Sequence, residues 1–316
     1  MPIDKTNIHI RPYHPEKDLA PLSAMLTEIE AIDADGEDTS EEALRQMLEW
    51  PNYHPDQDAW VAEYNETLVA YGAALGQPSQ RCTIYVVVHP SMRRAQFGSQ
   101  LLERTLHRAR ELGAKTILIY ANEHNQASKS FLAKHEFLPV GSSGAMMATA
   151  GMEIPPVEFP AGFRLQPFSE VKDTFILASA LNVCYLGMWG HQHNEKPSVD
   201  DPNVIRFLEH YGAENILLLF DKDNRISGIC SVKPAAEKDE HDDPVDILDA
   251  PGLIHKYRGA GYQRQLVSAG IQHLREQARR PIKLEFWGDD SGTLSIYRRL
   301  CFEMRQHYIA YHKEIK

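Results

Sequence analysis

The stretch YRGAGYQRQL, residues 257 to 266, places two glycines directly behind an arginine and then starts an amphipathic run. An earlier stretch, RRAQFGSQLL at residues 93 to 102, has a similar arginine, a glycine and a comparable apolar run. Glycines before a helix let the backbone turn tightly, and the first N–H groups of a helix are a natural site for phosphate. Each stretch therefore predicts a strand-to-helix loop that can hold an anion.

An offset of 165 residues brings these two loops into register together with three other landmarks. The pairs are Leu101-Leu102 with Leu266-Val267, ILIYA (117–121) with IKLEF (282–286), and KSFLAKHEF (129–137) with LSIYRRLCF (294–302). A repeat that keeps register over this length indicates a duplicated domain. The chain of 316 residues is also long enough for two domains of about 150 residues each.

Both halves alternate strand-like and helical segments. The β-branched and aromatic runs LVAYGAAL and CTIYVVV in the first half, and NILLLF, ISGICSV and VDIL in the second, predict strands. An α/β architecture follows, with a mixed and mostly antiparallel sheet flanked by helices in each domain. We expect a first domain at 1–150, a proline-rich linker at 151–162 and a second domain at 163–316.

Composition narrows the classes of partner. The formal net charge is −11, so the overall field opposes binding to nucleic acid or to anionic membranes. No apolar run approaches the roughly 20 residues needed to cross a bilayer, and the N-terminus lacks an export signal, which favours a cytoplasmic protein. The four cysteines lack CxxC spacing, which favours reduced thiols, and we expect no metal site. A phosphate-bearing ligand must therefore be bound locally.

At this point the motifs resemble a known family. VVVHPSMRRAQFGSQLL followed by ANEHNQASKSFLAKHEF is similar to the acyl-coenzyme A signature of the GNAT N-acetyltransferase superfamily, and YRGAGYQRQL with DDSGTLSIYRRLCF is similar in the second half. The signature reads Gln/Arg-x-x-Gly-x-Gly/Ala and later Asn-x-x-Ala-x-x-x-Tyr-x-x-x-x-Phe. The tandem arrangement looks most like the mycothiol synthase branch. The resemblance implies two tandem GNAT domains that use acetyl-CoA and require no metal.

The resemblance also implies where the coenzyme binds. Pantetheine would lie where the fourth and fifth strands splay apart, paired with the backbone of Val86 and Val88 in the first domain and of Leu253 and Ile254 in the second. The residues implied in phosphate binding are Arg93, Arg94, Ala95, Gln96, Gly98 and Ser99 in the first loop and Arg258, Gly259, Ala260, Gly261 and Tyr262 in the second. Asn125 and Asp290 match the start of the later motif. Arg94, Gln96 and Gln263 depart from the glycine pattern, and a required positive φ would be costly at a glutamine.

The second half is the better candidate for catalysis. Acetyl transfer requires an acceptor for the amine proton and a proton donor for the departing thiolate. The family tyrosine matches Tyr297, whereas the first half has Leu132 at that position, which cannot donate a proton. Asp249 is the first choice for the base, with Asp246 and Glu285 as alternatives, and for any single one of these carboxylates a solvated side chain is the more common outcome.

Three functions remain open from the sequence. The leading one is an acetyl-CoA-dependent N-acetyltransferase that acetylates the amine of a small molecule, with the second domain catalytic and the first non-catalytic. The alternative is a catalytically inactive protein that binds coenzyme A or acyl-CoA, and a third is a scaffold that binds no nucleotide. The sequence does not specify the acceptor, the acyl chain length or the oligomeric state.

Overall fold

The computed structural model describes residues 8–49, 53–77, 80–188, 198–239, 241–288 and 291–315. The chain divides into two compact units. The first contains Met1–Val140 together with Tyr308–Lys316, and the second contains Gly141–His307.

Within the described residues, the first half of the chain supplies five strands and five α-helices to the first unit. The strands are β1 (Ile8–Pro12), β2 (Ala59–Tyr64), β3 (Thr67–Gln77), β4 (Arg81–Val88) and β5 (Thr116–Asn122). The helices are α1 (Pro15–Asp33), α2 (Glu41–Leu48), α3 (Pro55–Asp58), α4 (Phe97–Glu111) and α5 (Gln126–Lys134). The strands pair in numerical order, and only β4 and β5 run parallel among them.

The remaining elements follow the same plan. The strands are β6 (Leu138–Ala148), β7 (Arg164–Pro167), β8 (Ile216–Phe220), β9 (Ile226–Lys238), β10 (Pro244–Asp249), β11 (Gly252–Leu253), β12 (Ile282–Trp287) and β13 (Glu303–Glu314). The helices are α6 (Phe168–Val171), α7 (Thr174–Cys184), α8 (Pro202–Tyr211), α9 (Tyr262–Gln277) and α10 (Ser291–Arg299). In the second unit the order of the described strands is β7-β8-β9-β10-β12-β6, with β11 on β9, and among these strands only β10 and β12 run parallel.

The predicted fold class, a mixed and mostly antiparallel sheet flanked by helices in each unit, is confirmed. Helices α4 and α9 occupy equivalent places in their units and bury the apolar faces that the sequence predicted. Leu101 and Leu102 of α4 are buried, as are the matching Leu266 and Val267 of α9. Both helices thus fix the loop that precedes them against the sheet.

The final strands are exchanged between the two halves of the sequence. Within the first unit, the Tyr308–Glu314 part of β13 pairs antiparallel with β5. Within the second unit, the Ser143–Ala148 part of β6 pairs antiparallel with β12. The structural division therefore differs from the boundaries expected at 150 and 163, because each half of the sequence gives its last strand to the other unit.

The segment expected to be a linker, residues 151–162, lies inside the second unit. Met152 is buried in its core, and the Phe159 ring stacks against Tyr262 with centroids 6.4 Å apart. Its proline-rich backbone is thus held by apolar contacts of the kind that secure a core segment. None of the helices in the described part of the chain is long and apolar enough to span a membrane.

Candidate active site

The fourth and fifth strands diverge in each unit. In the first unit, β4 pairs with β5 from Arg81–Thr116 to Thr83–Leu118, although β4 continues to Val88. In the second unit, β10 pairs with β12 up to Asp249–Glu285, and the Ala250 N–H donates to the Glu285 carbonyl at 2.7 Å. The chain then turns away, and β11 pairs with β9. Both units therefore contain the splay that the resemblance implies.

The direction of the backbone groups at the splay follows from hydrogen bonds on the opposite side. The His89 N–H donates to Val69 O at 2.9 Å, and the Ile254 N–H donates to Ser227 O at 3.0 Å. Neighbouring residues of a strand direct their N–H and C=O groups to opposite sides. The backbone N–H and C=O groups of Val88 and Leu253 therefore face the splay. Ile254 faces β9 instead, which corrects its expected pairing with pantetheine.

The residue two positions before Val88 differs in kind from the residue two positions before Leu253. Val86 points to the same side as Val88 and can offer both a donor and an acceptor. Its counterpart at the offset of 165 is Pro251, which has no N–H. The second unit thus keeps one donor toward the splay, at Leu253, where the first unit has two.

The two loops share one backbone conformation. Arg94 and Gln96 have φ of 69° and 73°, and Gly259 and Gly261 have φ of 75° and 89°. Each loop ends in a left-handed residue that precedes the first residue of its helix, and neither cap residue provides a side-chain hydrogen bond. The first loop therefore adopts the glycine conformation with non-glycine residues, at a cost of about 1 kcal/mol for each.

Space around the glycines of the second loop is open. A Cβ added at Gly259 or at Gly261 would meet no atom within 4 Å. Left-handed backbone and an uncapped helix start together leave the first N–H groups of α9 directed at this space. The arrangement suits a phosphate group, because the macrodipole adds about half a positive charge there.

The arginines in front of the loops are held by the protein. Arg93 Nε donates to Val88 O at 3.2 Å, and its guanidinium pairs with Asp33. Arg258 Nε donates to Leu253 O at 2.9 Å, and its Nη2 donates to the carbonyls of Cys184 and Leu186 at 3.0 and 2.8 Å. Arg258, which the resemblance implies in phosphate binding, thus directs its guanidinium to backbone carbonyls of the protein. Its charge is fixed where it clamps the strand end to the loop.

Other predicted coenzyme residues have defined protein contacts. Asn125 caps α5 by accepting from the Ser128 N–H at 3.1 Å, and Ser99 Oγ lies 3.3 Å from His135 Nε2. Tyr262 packs against Phe163 with centroids 5.2 Å apart. Ala260 is exposed and Ala95 is half-buried, while Asp290 lies outside the described residues.

Asp249 lies at the end of β10, where the splay begins. Its Oδ2 accepts hydrogen bonds from Tyr211 of α8 and from Ser231 Oγ, the latter at 3.2 Å. Leu248, the preceding residue, points to α9, since its side chain closely approaches Gly270. Asp249 therefore faces the opposite side of the sheet, toward α8.

The surroundings of Asp249 change its acidity. Burial raises its pKa from 3.8 to about 6, and the neighbouring Glu285 acts in the same direction. Hydrogen bonds from Tyr211 and Ser231 oppose this rise. A carboxylate with a pKa near neutrality is a more effective proton acceptor than an ordinary one. Asp246, an alternative base, instead binds Arg280 Nη1 at 3.1 Å and the Ala235 N–H at 2.8 Å.

Tyr297 lies in the core of the second unit with an exposed fraction of 0%. Gln263 Nε2 donates to its hydroxyl at 3.0 Å and also to Pro251 O at 2.8 Å. One side chain thus connects the diverging strand with the predicted acid. The matching residues of the first unit are Leu132, which is 2% exposed, and Gly98, which has no side chain.

Three partners at this site were not found from the sequence. Tyr211 is 38 residues from Asp249 in the chain and carries no motif, so only the fold brings them together. Ser231 alternates with buried apolar residues of β9 and gives a weak signal. Gln263 gave the clearest signal, since it breaks the glycine pattern, but its contacts with Pro251 and Tyr297 could not be predicted.

Comparisons with known proteins agree with this geometry. Residues 24–137 match the model of the Acetyltransferase (GNAT) family. A mycothiol acetyltransferase from Pseudarthrobacter chlorophenolicus is 23% identical over 253 residues, which cover 79% of this chain and 75% of that protein.

Two solved structures share the fold over nearly the full length. A GCN5-related N-acetyltransferase from Sphaerobacter thermophilus has a TM-score of 0.70 at 20% identity, covering 99% of this chain and 97% of that one. A tandem GNAT protein from the clavulanic acid biosynthesis pathway has a TM-score of 0.61 at 14% identity, covering 97% and 98%. The GNAT family model thus matches the first unit, and the second unit contains the same splay and the same glycine-type loop.

Proposed function

We propose that the protein transfers the acetyl group of acetyl-CoA to the amine of a small molecule, and that the second unit performs the chemistry. The assignment of the chemistry to the second unit is supported by Asp249, a carboxylate at the start of its splay with a pKa of about 6. The first unit has Leu132 in the place of the predicted acid.

The coenzyme-binding groups of the second unit fit this proposal. Gly259 and Gly261 form an open loop in front of α9, where the diphosphate would bind. Leu253 directs its N–H to the splay, where an amide of pantetheine would pair. Arg258 contributes by fixing the loop rather than by direct contact.

Asp249 and Tyr297 divide the proton transfers between them. The amine reacts as the neutral free base, and Asp249 accepts a proton from its nitrogen as the lone pair attacks the thioester carbon. As the carbon–sulfur bond breaks, Tyr297 gives its hydroxyl proton to the sulfur, and coenzyme A leaves as the thiol. Asp249 then releases its proton to solvent, and the tyrosine oxygen takes up a proton from solvent when coenzyme A leaves. Atoms and charges balance over the cycle.

The acceptor is a small amine. Because the similar proteins include mycothiol acetyltransferases, the deacetylated form of mycothiol is the first acceptor to test, followed by a panel of amino sugars and amino-acid conjugates. Glu285 on β12 and Glu237 on β9, two strands away, each lie 2.9 Å from Lys283 Nζ and give this face of the sheet mixed charge. A cationic amine is compatible with such a surface.

The test combines binding and turnover. Calorimetric titration with acetyl-CoA measures the affinity, and release of the coenzyme A thiol in the presence of each amine measures turnover. We expect Tyr297→Phe and Asp249→Asn to lose turnover while the affinity for acetyl-CoA stays nearly unchanged. A wild-type protein that binds no acetyl-CoA would refute the proposed function. Full turnover in both variants would refute the assignment of these two residues.

A further inference from the structure

Gln263 lies where the family pattern has glycine or alanine, and its amide contacts two oxygens. Pro251 O, a backbone carbonyl, can only accept a hydrogen bond. The atom of Gln263 that lies 2.8 Å from it must therefore be the amide nitrogen, whichever way an amide might otherwise be oriented. The carbonyl thus fixes the orientation of the whole side-chain amide.

The second amide hydrogen determines the direction of the tyrosine proton. The same nitrogen lies 3.0 Å from the Tyr297 hydroxyl and has no lone pair to offer. Tyr297 must accept this hydrogen bond, so its own O–H hydrogen points to a partner other than Gln263. Gln263 therefore acts on the tyrosine oxygen as a donor and does not compete for the hydroxyl proton.

We propose that Gln263 is a positioning residue for the acetyl transfer, which orients the Tyr297 hydroxyl and stabilises its oxygen after the proton has moved to sulfur. The proposal rests on the proposed function. In the transfer, the O–H bond of Tyr297 breaks, an S–H bond forms, and the negative charge on the tyrosine oxygen is met by the Gln263 N–H. Hydrogen bonds to charged groups are stronger than neutral ones, so the contact strengthens as the charge develops.

The internal repeat supplies a comparison within one chain. The first unit has Gly98 at the position of Gln263 and Leu132 at the position of Tyr297, so the amide and the hydroxyl are both missing there. A Cβ at Gly98 would contact the Phe131 ring at 3.4 Å. The unit without the acid thus also lacks the amide that would contact it.

The principal variant is Gln263→Met, which keeps the length of the side chain and removes both donated hydrogen bonds. We expect kcat to fall about 10- to 100-fold, the range for a lost hydrogen bond to a charged group. The KM for acetyl-CoA should remain within about twofold, because the contact matters most when the charge forms. Gln265→Met on the same helix, whose amide oxygen accepts from the Glu158 N–H at 2.9 Å, is the matched control and should retain wild-type kcat.

Two further variants separate positioning from a structural role. Gln263→Glu cannot donate to either oxygen, so kcat should fall at least as far as in Gln263→Met. In the Tyr297→Phe background, Gln263→Met should cause no further loss, since the hydroxyl that it orients is gone. An additive loss in the double variant would overturn the proposal, as would wild-type kcat in Gln263→Met.

The failure of this proposal is distinct from the failure of the proposed function. If Tyr297→Phe loses turnover but Gln263→Met does not, only the positioning role is refuted. If Gln263→Met lowers the KM for acetyl-CoA and leaves kcat unchanged, Gln263 is an obstacle to coenzyme binding, and the positioning role is again refuted. If the wild type neither binds acetyl-CoA nor releases thiol, the proposed function itself fails.

Discussion

The hydrogen bond from Tyr211 lowers the pKa of Asp249. The variant Tyr211→Phe, which lacks this bond, therefore gives a quantitative test of Asp249 as the general base. The Tyr211 hydroxyl donates to the ionised carboxylate and so lowers its pKa, while burial raises that pKa to about 6. A hydrogen bond to a charged acceptor is worth about 1.5–3 kcal/mol, and one pKa unit corresponds to about 1.4 kcal/mol. In Tyr211→Phe the Asp249 pKa should therefore rise by about one to two units.

The assay is the pH dependence of kcat/KM with acetyl-CoA and the chosen amine. Asp249 must be ionised to accept a proton, so the acidic limb should lie near pH 6 in the wild type and move to about pH 7–8 in Tyr211→Phe. Ser231→Ala should shift the limb in the same direction by less, because its hydrogen bond at 3.2 Å is weaker. An unchanged limb in Tyr211→Phe, or a shift toward acid, would refute Asp249 as the base.

Asp249 also makes the free energy of unfolding depend on pH, and the sign of this dependence follows from its raised pKa. The folded protein holds the Asp249 proton more tightly than the unfolded chain does, because the folded pKa of about 6 exceeds the ordinary value of 3.8. This contribution is fully present below pH 3.8 and is lost as the pH rises through about 6. In Asp249→Asn the loss should disappear, which urea unfolding at pH 5 and pH 8 can measure.

Two glycine substitutions test the backbone geometry. Gly261→Ala should lower the free energy of unfolding by about 1 kcal/mol, since φ is 89° but nothing lies within 4 Å of the new Cβ; a loss above about 3 kcal/mol in urea unfolding would contradict this account. Gly144→Ala should cost more than about 3 kcal/mol, because the new Cβ would lie 2.0 Å from the Gln306 carbonyl oxygen. The control is Gly76→Ala, where the nearest atom to the added Cβ lies at 3.5 Å. If Gly144→Ala has wild-type stability, the predicted clash with Gln306 is refuted.

Local patterns predicted the parts of the fold that depend on neighbours in sequence. The 165-residue offset located both loops, and the strained φ at Gln96 is the cost that the sequence indicated. The residue implied by the resemblance was wrong at Ile254, because Pro251 and Gly252 disturb the alternation of the strand and the sequence does not show which of its sides faces the splay. Only the observed bond to Ser227 O decides the direction.

Contacts between distant segments could not be predicted. Tyr211 and Asp249 meet because a helix packs over the sheet, and no spacing in the sequence records this. The repeat also shows that each half contains a last strand but not which partner that strand chooses. The same sequence pattern is expected for a last strand that pairs within its own half and for one that pairs within the other half. The boundary at Gly141 could therefore not be predicted.

Because the last strands are exchanged between the two halves, the order in which the chain is synthesised affects how the first unit folds. Thr116 of β5 hydrogen-bonds to Glu314 of β13, a residue 198 positions later. The first unit begins to emerge from the ribosome early, yet it keeps an open sheet edge at β5 until β13 has been translated, and such edges favour wrong pairing. Contacts at this separation also slow folding. The domain made first is therefore the one completed last, and a chain cut between its halves leaves both products short of a strand.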